Sequence, residues 1–373
     1  MSRTGENIYR RKDGRWEGRF IRERIGGKAK YASVYGGTYR ETKKKLDEAK
    51  ERQARMNRAT KAGKVADIGN SWLSEAATFL KKSSVNKYED ILRNYILPEF
   101  GENDLSEITN QQLISFANGL LISGGAKGQG LTATTVAEIL SAMNGIRIYA
   151  MKRNYAVAFS PECVNLKREQ GDIRVFSLEE EEKLLDYLQS NMDLPALGIL
   201  LCLFTGIRVG ELCAMKWDDI NLPEKKMSVS KTMQRLRMNT VSGSKTEVKI
   251  LEPKSACSVR TIPLPDTIIA LLQEFHTPGT YLLTGKSGCF VEPRTMQNRF
   301  KKIIVSCGIQ DANFHATRHT FATRCIELGF DVKSLSEILG HASVAITMNR
   351  YVHPSMAHKR ENMNRFSNLF AVR

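Results

Sequence analysis

The chain lacks the features that staple a small fold or anchor one in a membrane. Its seven cysteines are Cys163, Cys202, Cys213, Cys257, Cys289, Cys307 and Cys325. They are scattered and odd in number, and no pair has CxxC spacing, which argues against a disulfide framework and against a zinc site. Several fall at apolar positions of expected helices, as reduced core thiols do. No apolar run reaches membrane-spanning length. The longest, around Leu194–Phe204, suits a buried helix. The N-terminus MSRTGENIYRRKDG lacks the apolar core of a signal peptide, so a cytoplasmic location is expected. No repeat of 20–50 residues is visible.

What is present is size and positive charge. A chain of 373 residues is too long for one ordinary domain, so two or three are expected. Hydrophobic residues make up 42% and charged residues 26%, a globular profile. The formal net charge is +16, which favours a polyanionic partner. The excess is concentrated. Residues 1–60 hold 18 Lys+Arg against 8 Asp+Glu, a local surplus of 10. A basic module reads better as a nucleic-acid contact than as general solubility.

The patterning gives a multidomain α+β chain. Asn7–Arg11, Arg15–Arg24 and Lys30–Tyr35 read as three short strands, with Asp13-Gly14 and Gly26-Gly27 as hairpin turns. Trp16, Phe20, Tyr31 and Tyr35 are expected to form one thin apolar face. Arg15, Arg19, Lys28 and Lys30 remain for the other, where a ribbon fits the DNA major groove. A charged helix from Thr38 to about Arg58 follows, with Thr38 and Glu41 as a capping box. Residues 1–60 thus form one expected domain, a sheet plus a helix. Residues 65–155 read as a central bundle of about four helices. Trp72, Ala76, Phe79 and Leu80 form one stripe there, and Pro98 and Gly101 end a second helix. Lys81, Lys82, Lys87, Arg147, Lys152 and Arg153 are candidate phosphate contacts, though each is equally well a solvated surface charge. Residues 156–175 read as a linker. From 176 to 373 a mostly helical domain carries a small antiparallel sheet: Lys226–Arg237, Lys245–Leu251 and Val259–Leu264. Thr246, Val248 and Ile250 alternate as in a half-buried strand.

Five places in this last domain carry chemistry. In Thr205-Gly206-Ile207-Arg208-Val209-Gly210-Glu211-Leu212 a helix should stop near Gly206 and another begin near Arg208. That adds a guanidinium to a helix N-terminus, two features that favour bound phosphate. The plainer alternative is a surface pair of Arg208 with Glu211. Lys254 falls in an expected hairpin turn between two strands. In His315-Ala316-Thr317-Arg318-His319-Thr320-Phe321, His315 and Arg318 share a helix face. Phe321, Cys325 and Leu328 are the expected buried stripe. Leu339-Gly340-His341 and Tyr351 complete the set. Thr284-Gly285-Lys286-Ser287 contains a GKS, but a P-loop needs glycine where Thr280 stands and a following helix, so nucleotide binding is rejected. No carboxylate cluster marks a metal-dependent transposase.

This combination, in this order, resembles the tyrosine recombinases, the lambda-integrase family, over about 176–373. Within it, the similarity is greatest to integrases of conjugative transposons and related phages. The resemblance implies that Tyr351 attacks the scissile phosphate and leaves a 3′-phosphotyrosine and a free 5′-hydroxyl. It implies that Arg208 and Arg318 clamp the non-bridging oxygens and that Lys254 protonates the leaving oxygen. His315 and His341 would hydrogen-bond the phosphate, His315 being the better candidate for proton exchange with Tyr351. Glu211 would orient its box. Neither metal nor cofactor is implied. The implied partners are double-stranded DNA at core-type and arm-type sites, further copies of the chain in a tetramer on DNA, and an excisionase or DNA-bending protein. A bacterial or phage origin follows. A type IB topoisomerase and a non-catalytic DNA-binding regulator are the competing readings.

Overall fold

The structure is a computed structural model. It describes residues 7–25, 28–58, 61–125, 128–167, 173–240, 243–252 and 256–352, with Arg360, Met363, Asn364 and Phe366. The chain divides into two compact units, Met1–Gln170 and Gly171–Arg373. Among the described residues, no helix is long and apolar enough to cross a membrane.

The first unit opens with an antiparallel sheet of β1 (Ile8–Arg10), β2 (Trp16–Ile25) and β3 (Lys28–Gly36). Gly14 makes the first turn possible with a φ of 84°, a region that costs glycine nothing. One sheet face packs on α1 (Tyr39–Arg58): Trp16 meets Tyr39 edge-on at 5.3 Å, and Gly18 lets Leu46 and Thr42 approach. The four aromatics do not share that face. The register pairs Glu17 with Tyr35 and Ile21 with Tyr31, so both tyrosines lie opposite to Trp16 and Phe20. Strand parity, which residue counting across two turns does not fix, decides this. Tyr31 and Tyr35 are exposed, and Arg11 and Arg15 lie over the Tyr35 ring at 5.5 and 5.7 Å. At the start of α1, Thr38 accepts from the Glu41 N–H at 3.2 Å, while the Glu41 carboxylate reaches Gly37 N rather than Thr38 N.

The helices α2 (Val65–Ala76), α3 (Lys82–Ile91), α4 (Leu97–Phe100), α5 (Asn110–Ser123) and α6 (Ala133–Lys152) surround a core that includes Ile96, Leu113, Ile139 and Met143. Gly145 lets α6 pass under the Trp72 ring, where a Cβ would sit 2.7 Å from the indole. Two expectations change here. The helix α2 stops at Ala76, leaving Phe79 85% exposed and Leu80 exposed. Gly101 caps its helix as expected, but Pro98 does not end it. A π-turn over Leu92–Ile96 precedes it, widening the ring where proline offers no N–H and its own ring would clash with the previous turn.

The second unit begins with α7 (Leu178–Ser190), capped by the reciprocal Ser177–Glu180 box, then α8 (Leu194–Thr205) and α9 (Val209–Ala214). The strands β4 (Ile220–Asn221), β5 (Lys226–Val229) and β8 (Arg260–Pro263) form one sheet, and β6 (Thr232–Thr240) with β7 (Gly243–Leu251) a separate hairpin. The expected single strand Lys226–Arg237 is therefore two. Its buried residues run Met227, Val229, Met233, Leu236, so the period of two fails after Val229. Thr246 and Ile250 are exposed and only Val248 is half-buried, because β7 pairs with β6 alone. Five helices follow: α10 (Asp266–Phe275), α11 (Pro293–Ser306), α12 (His315–Glu327), α13 (Val332–Leu339) and α14 (Val344–Tyr351). Cys325 is buried as expected, but Leu328 lies past the end of α12 and is 77% exposed.

Candidate active site

Three helix ends meet in the second unit. The apolar α8 terminates at Gly206, left-handed at φ 64°, which frees its carbonyl to point out of the helix. Arg318, on the first turn of α12, takes that carbonyl at 2.7 Å and the Leu339 carbonyl, at the end of α13, at 2.8 Å. Its other contact is Nε2 of His341 at 2.8 Å. Gly340 caps α13 at φ 65° and so turns His341 inward. Arg318 is only 2% exposed. Burial, then repulsion from Arg208, lowers its guanidinium to about 9, which still leaves it cationic at neutral pH.

Arg208 is the N-terminal flank of α9. Its guanidinium meets Glu211 at 2.9 Å and its own N–H meets the same carboxylate at 2.9 Å. Arg208 is therefore both paired with Glu211 and set at a helix start. Glu211 is also gripped from the sheet by Arg260, at 2.9 and 3.2 Å. Burial opposes its ionisation, but the hydrogen bonds and charge of Arg260, then Arg208, hold the carboxyl below its usual range. Arg260 further donates to Ile338 O at 2.6 Å, tying the sheet to α13.

Tyr351 ends α14 with its ring in a small core of Ala322, Cys325, Leu335 and Leu339. Its hydroxyl lies 2.9 Å from Nδ1 of His319, and its ring stacks on His341 at 5° and 6.4 Å. Burial raises its phenol, opposed by the charges of Arg318 and Arg350. His315 sits at the exposed rim, edge-on to His319 at 4.6 Å. Crowding, then Arg318 and Arg208, lowers His315 to about 4. Burial, then His315 and Arg350, lowers His319 to about 4, and burial, then Arg318 and Arg208, lowers His341 to about 3. A cavity of about 250 Å³ opens beside His315 and Arg318, walled also by Arg294, Asn298, Lys301 and Asn313. Among the described residues, no cluster of three or more His, Cys, Asp or Glu is placed to hold a metal.

The structure thus gathers Arg208, Glu211, His315, Arg318, His341 and Tyr351. Lys254 lies outside the described residues. Its flanking strands do not form a hairpin with each other, because β7 pairs with β6 and β8 with β5. Sequence reasoning misses three residues: His319, Thr347 and Arg260. For Arg260 a signal exists, since it shares strand parity with the buried Ile262, and an arginine on a buried face calls for a carboxylate. The GKS segment is a tight turn, with Gly285 N bonded to Tyr281 O at 2.9 Å, and the next helix begins only at Pro293. The buried thiols Cys213 and Cys325 are pushed up to about 12 and about 11 by burial, as inert core residues are.

The basic candidates of the first unit are mostly exposed or paired with carboxylates. Arg15 pairs with Asp13 and Arg19 with Glu17, both at the open sheet face. Lys30 is exposed, and the side chain of Lys28 lies outside the described part. Lys81, Lys82 and Lys152 are exposed. Lys87 pairs with Glu138 at 2.6 Å. Arg147 is half-buried against Met151. Arg153 pairs with Glu75 and lies 3.8 Å over the Tyr149 ring.

Comparison with known proteins finds matches in both units. Residues 174–358 match the phage integrase family, and 65–121 match the phage integrase N-terminal SAM-like domain. The chain is 29% identical over 336 residues to a tyrosine recombinase XerC-like protein of Caldanaerobacter subterraneus subsp. tengcongensis, covering 82% of this chain and 83% of that one. It is 22% identical to the ICEBs1 integrase of Bacillus subtilis, covering 82% of each. Its fold is similar to the Tn1549 transposon integrase solved with transposon right end DNA, at TM-score 0.68 and 20% identity over 82% of this chain and 100% of that one. With family matches in both units and a relative aligned over most of both chains, the chain belongs to the phage integrase family of tyrosine recombinases.

Proposed function

We infer that this protein is a site-specific DNA recombinase that integrates and excises a mobile element. The observation that carries the reading is the Tyr351 hydroxyl, buried beside His319 and His341 within reach of the Arg318 charge. A phosphodiester resists attack because it is anionic, and charge builds on its oxygens in the transition state. Fixed cationic donors stabilise that charge where it develops. Arg318 is pre-set by two backbone carbonyls and Arg208 by Glu211, so both face a bound phosphate without reorganising. Tyr351 forms the new bond to phosphorus, and the bond to the 5′-oxygen breaks. Lys254 supplies the proton that the 5′-oxygen takes. His315 hydrogen-bonds a phosphate oxygen, His341 serves the phosphate by holding Arg318 through its Nε2, and Glu211 orients Arg208 and Arg260. The phosphotyrosine keeps the bond energy, so rejoining needs no nucleotide.

The substrate is double-stranded DNA. The core-type site falls to the bundle and the catalytic domain. The arm-type site falls to the open face of the β1–β3 sheet, where exposed tyrosines lie among arginines. Four protomers act on a Holliday junction, a state in which lambda integrase has been solved. An excisionase or bending protein sets direction, and the reaction takes place on bacterial or phage DNA in the cytoplasm. The test is covalent trapping on a nicked duplex carrying the element's end. A denaturant-resistant adduct that Tyr351→Phe abolishes is expected without added metal or nucleotide. No adduct would favour a DNA-binding regulator, and relaxation of any supercoiled plasmid would favour a topoisomerase. Deleting residues 1–60 should abolish arm-site binding and spare core cleavage.

A further inference from the structure

The HxxR spacing draws attention to His315, yet the hydroxyl of Tyr351 touches a different imidazole. His315 and His319 stand one turn apart on α12. His315, at the rim, makes a ring contact with His319 and, among the described residues, no hydrogen bond. His319 is 8% exposed, and its Nδ1 lies 2.9 Å from the hydroxyl of Tyr351, itself 7% exposed. The position of His319 is held from below. Its neighbour Thr320 accepts the Phe176 N–H at 2.9 Å, and Arg318 is locked to two carbonyls.

Resting on the recombinase reading, we propose that His319 is a catalytic residue, the base that takes the Tyr351 proton during strand cleavage and returns it during rejoining. The direction of the hydrogen bond supports this. Burial keeps both partners neutral at neutral pH, so the phenol still has its proton. Arg318 sets its positive charge near the same oxygen. That charge favours a phenol whose lone pairs are turned toward the guanidinium and whose O–H is turned toward Nδ1. A donor–acceptor distance of 2.9 Å is within the reach required of a general base. As the Tyr351 oxygen bonds to phosphorus, its proton moves to Nδ1 of His319. The bond to the 5′-oxygen breaks, and that oxygen takes its proton from a separate acid. In rejoining, the 5′-hydroxyl attacks, the phosphotyrosine bond breaks, and the His319 proton returns to Tyr351. The charged groups facing the His319 imidazole are Arg318 on its own helix and Arg350 on α14, with His315 and Tyr351 as its titrating neighbours. The phosphate offsets the two arginines when DNA binds, which favours a transient imidazolium.

The test uses the full chain and single-turnover cleavage of a nicked core-site duplex. In His319→Asn, an amide replaces Nδ1 as a hydrogen-bonding partner for Tyr351 but cannot serve as a base. Cleavage should slow by roughly a hundredfold or more. Replacing Tyr351 by a fluorinated tyrosine gives a more acidic phenol, which needs a base less. The rate of His319→Asn relative to the otherwise identical His319 protein should then recover at least about tenfold, a change that a structural role would not produce. If His319→Asn does not fold, His319→Gln takes its place in the same comparison. Cleavage within about threefold of the parent, or a rate ratio that fluorination leaves unchanged, overturns the proposal. Failure of the parent protein to form a Tyr351 adduct is a separate result and overturns the recombinase reading instead.

Discussion

Arg318 donates to Nε2 of His341 at 2.8 Å, and that contact fixes the tautomer of the imidazole. A guanidinium has no acceptor, so Nε2 carries the lone pair and the ring proton sits on Nδ1. Nδ1–H then donates to Thr347 Oγ1 at 2.8 Å. Thr347 is fully buried, on the first turn of α14. Its hydroxyl therefore ties the helix that carries Tyr351 to the loop that carries His341.

Thr347→Val removes this acceptor at nearly constant volume. The half-buried N–H of His341 loses its partner, which costs about 1 kcal/mol. Adduct formation should slow about tenfold, the equivalent of about 1.4 kcal/mol in the barrier. Urea unfolding and single-turnover cleavage check both. An unchanged midpoint and rate would mean that the imidazole needs no anchor.

Glu211 is expected to matter most to stability. It is 3% exposed and neutralises Arg260, whose side chain is 5% exposed. Glu211→Ala leaves that guanidinium buried without its counter-charge, at a cost of about 3–5 kcal/mol. Replacing both together, Glu211→Leu with Arg260→Met, should recover much of the loss, since apolar residues of similar size need no partner there. Denaturant midpoints of the two variants decide it. Equal destabilisation would mean that the pair acts through geometry rather than charge.

Gly206→Ala tests how closely the helix ends are packed. The φ of 64° disfavours a side chain, and the added Cβ would fall 2.5 Å from Phe321 and 2.8 Å from Leu339. Both neighbours belong to the helices that hold Arg318 and His341. A loss of at least about 1–2 kcal/mol is expected, together with slower cleavage, because the Gly206 carbonyl that orients Arg318 must move. A normal rate at reduced stability would uncouple the carbonyl from catalysis.

Much of this arrangement is legible in the sequence where local rules apply. Gly206 announces a helix end, and the three-residue spacing of His315 and Arg318 announces a shared face. What local rules cannot reach is parity and tertiary pairing. Tyr31 and Tyr35 lie on the sheet face opposite to the expected one because residue counting does not fix the register across a turn. Lys226–Arg237 reads as one strand because each half is locally strand-like, and only their different partners separate them. His319 stays hidden because nothing near it in the sequence reveals Tyr351, 32 residues on, at its Nδ1.

Stability should fall on mild acidification, and the histidines set the window. The folded chain holds His315 and His319 near 4 and His341 near 3, against an ordinary value of 6.5. These folded values are lowered, so between them and 6.5 the unfolded chain binds more protons. Stability is then full above about pH 6.5 and is lost as pH falls toward 4. A tenfold difference in proton affinity between the folded and unfolded chain is worth about 1.4 kcal/mol. Water reaches His315 and His341 and screens their share. The buried His319 should account for on the order of 2 kcal/mol by about pH 4.5. Glu211, whose carboxyl is lowered, adds its own acid sensitivity only at lower pH, as it protonates. His319→Asn separates the two, since it should flatten the urea midpoint between about pH 6.5 and 4.5 and leave the steeper loss below that. A slope identical to that of the parent would mean that the His319 ring charges freely in the folded protein. Core-site DNA should act in the same direction as the substitution, because a bound phosphate offsets the arginines that keep these imidazoles neutral.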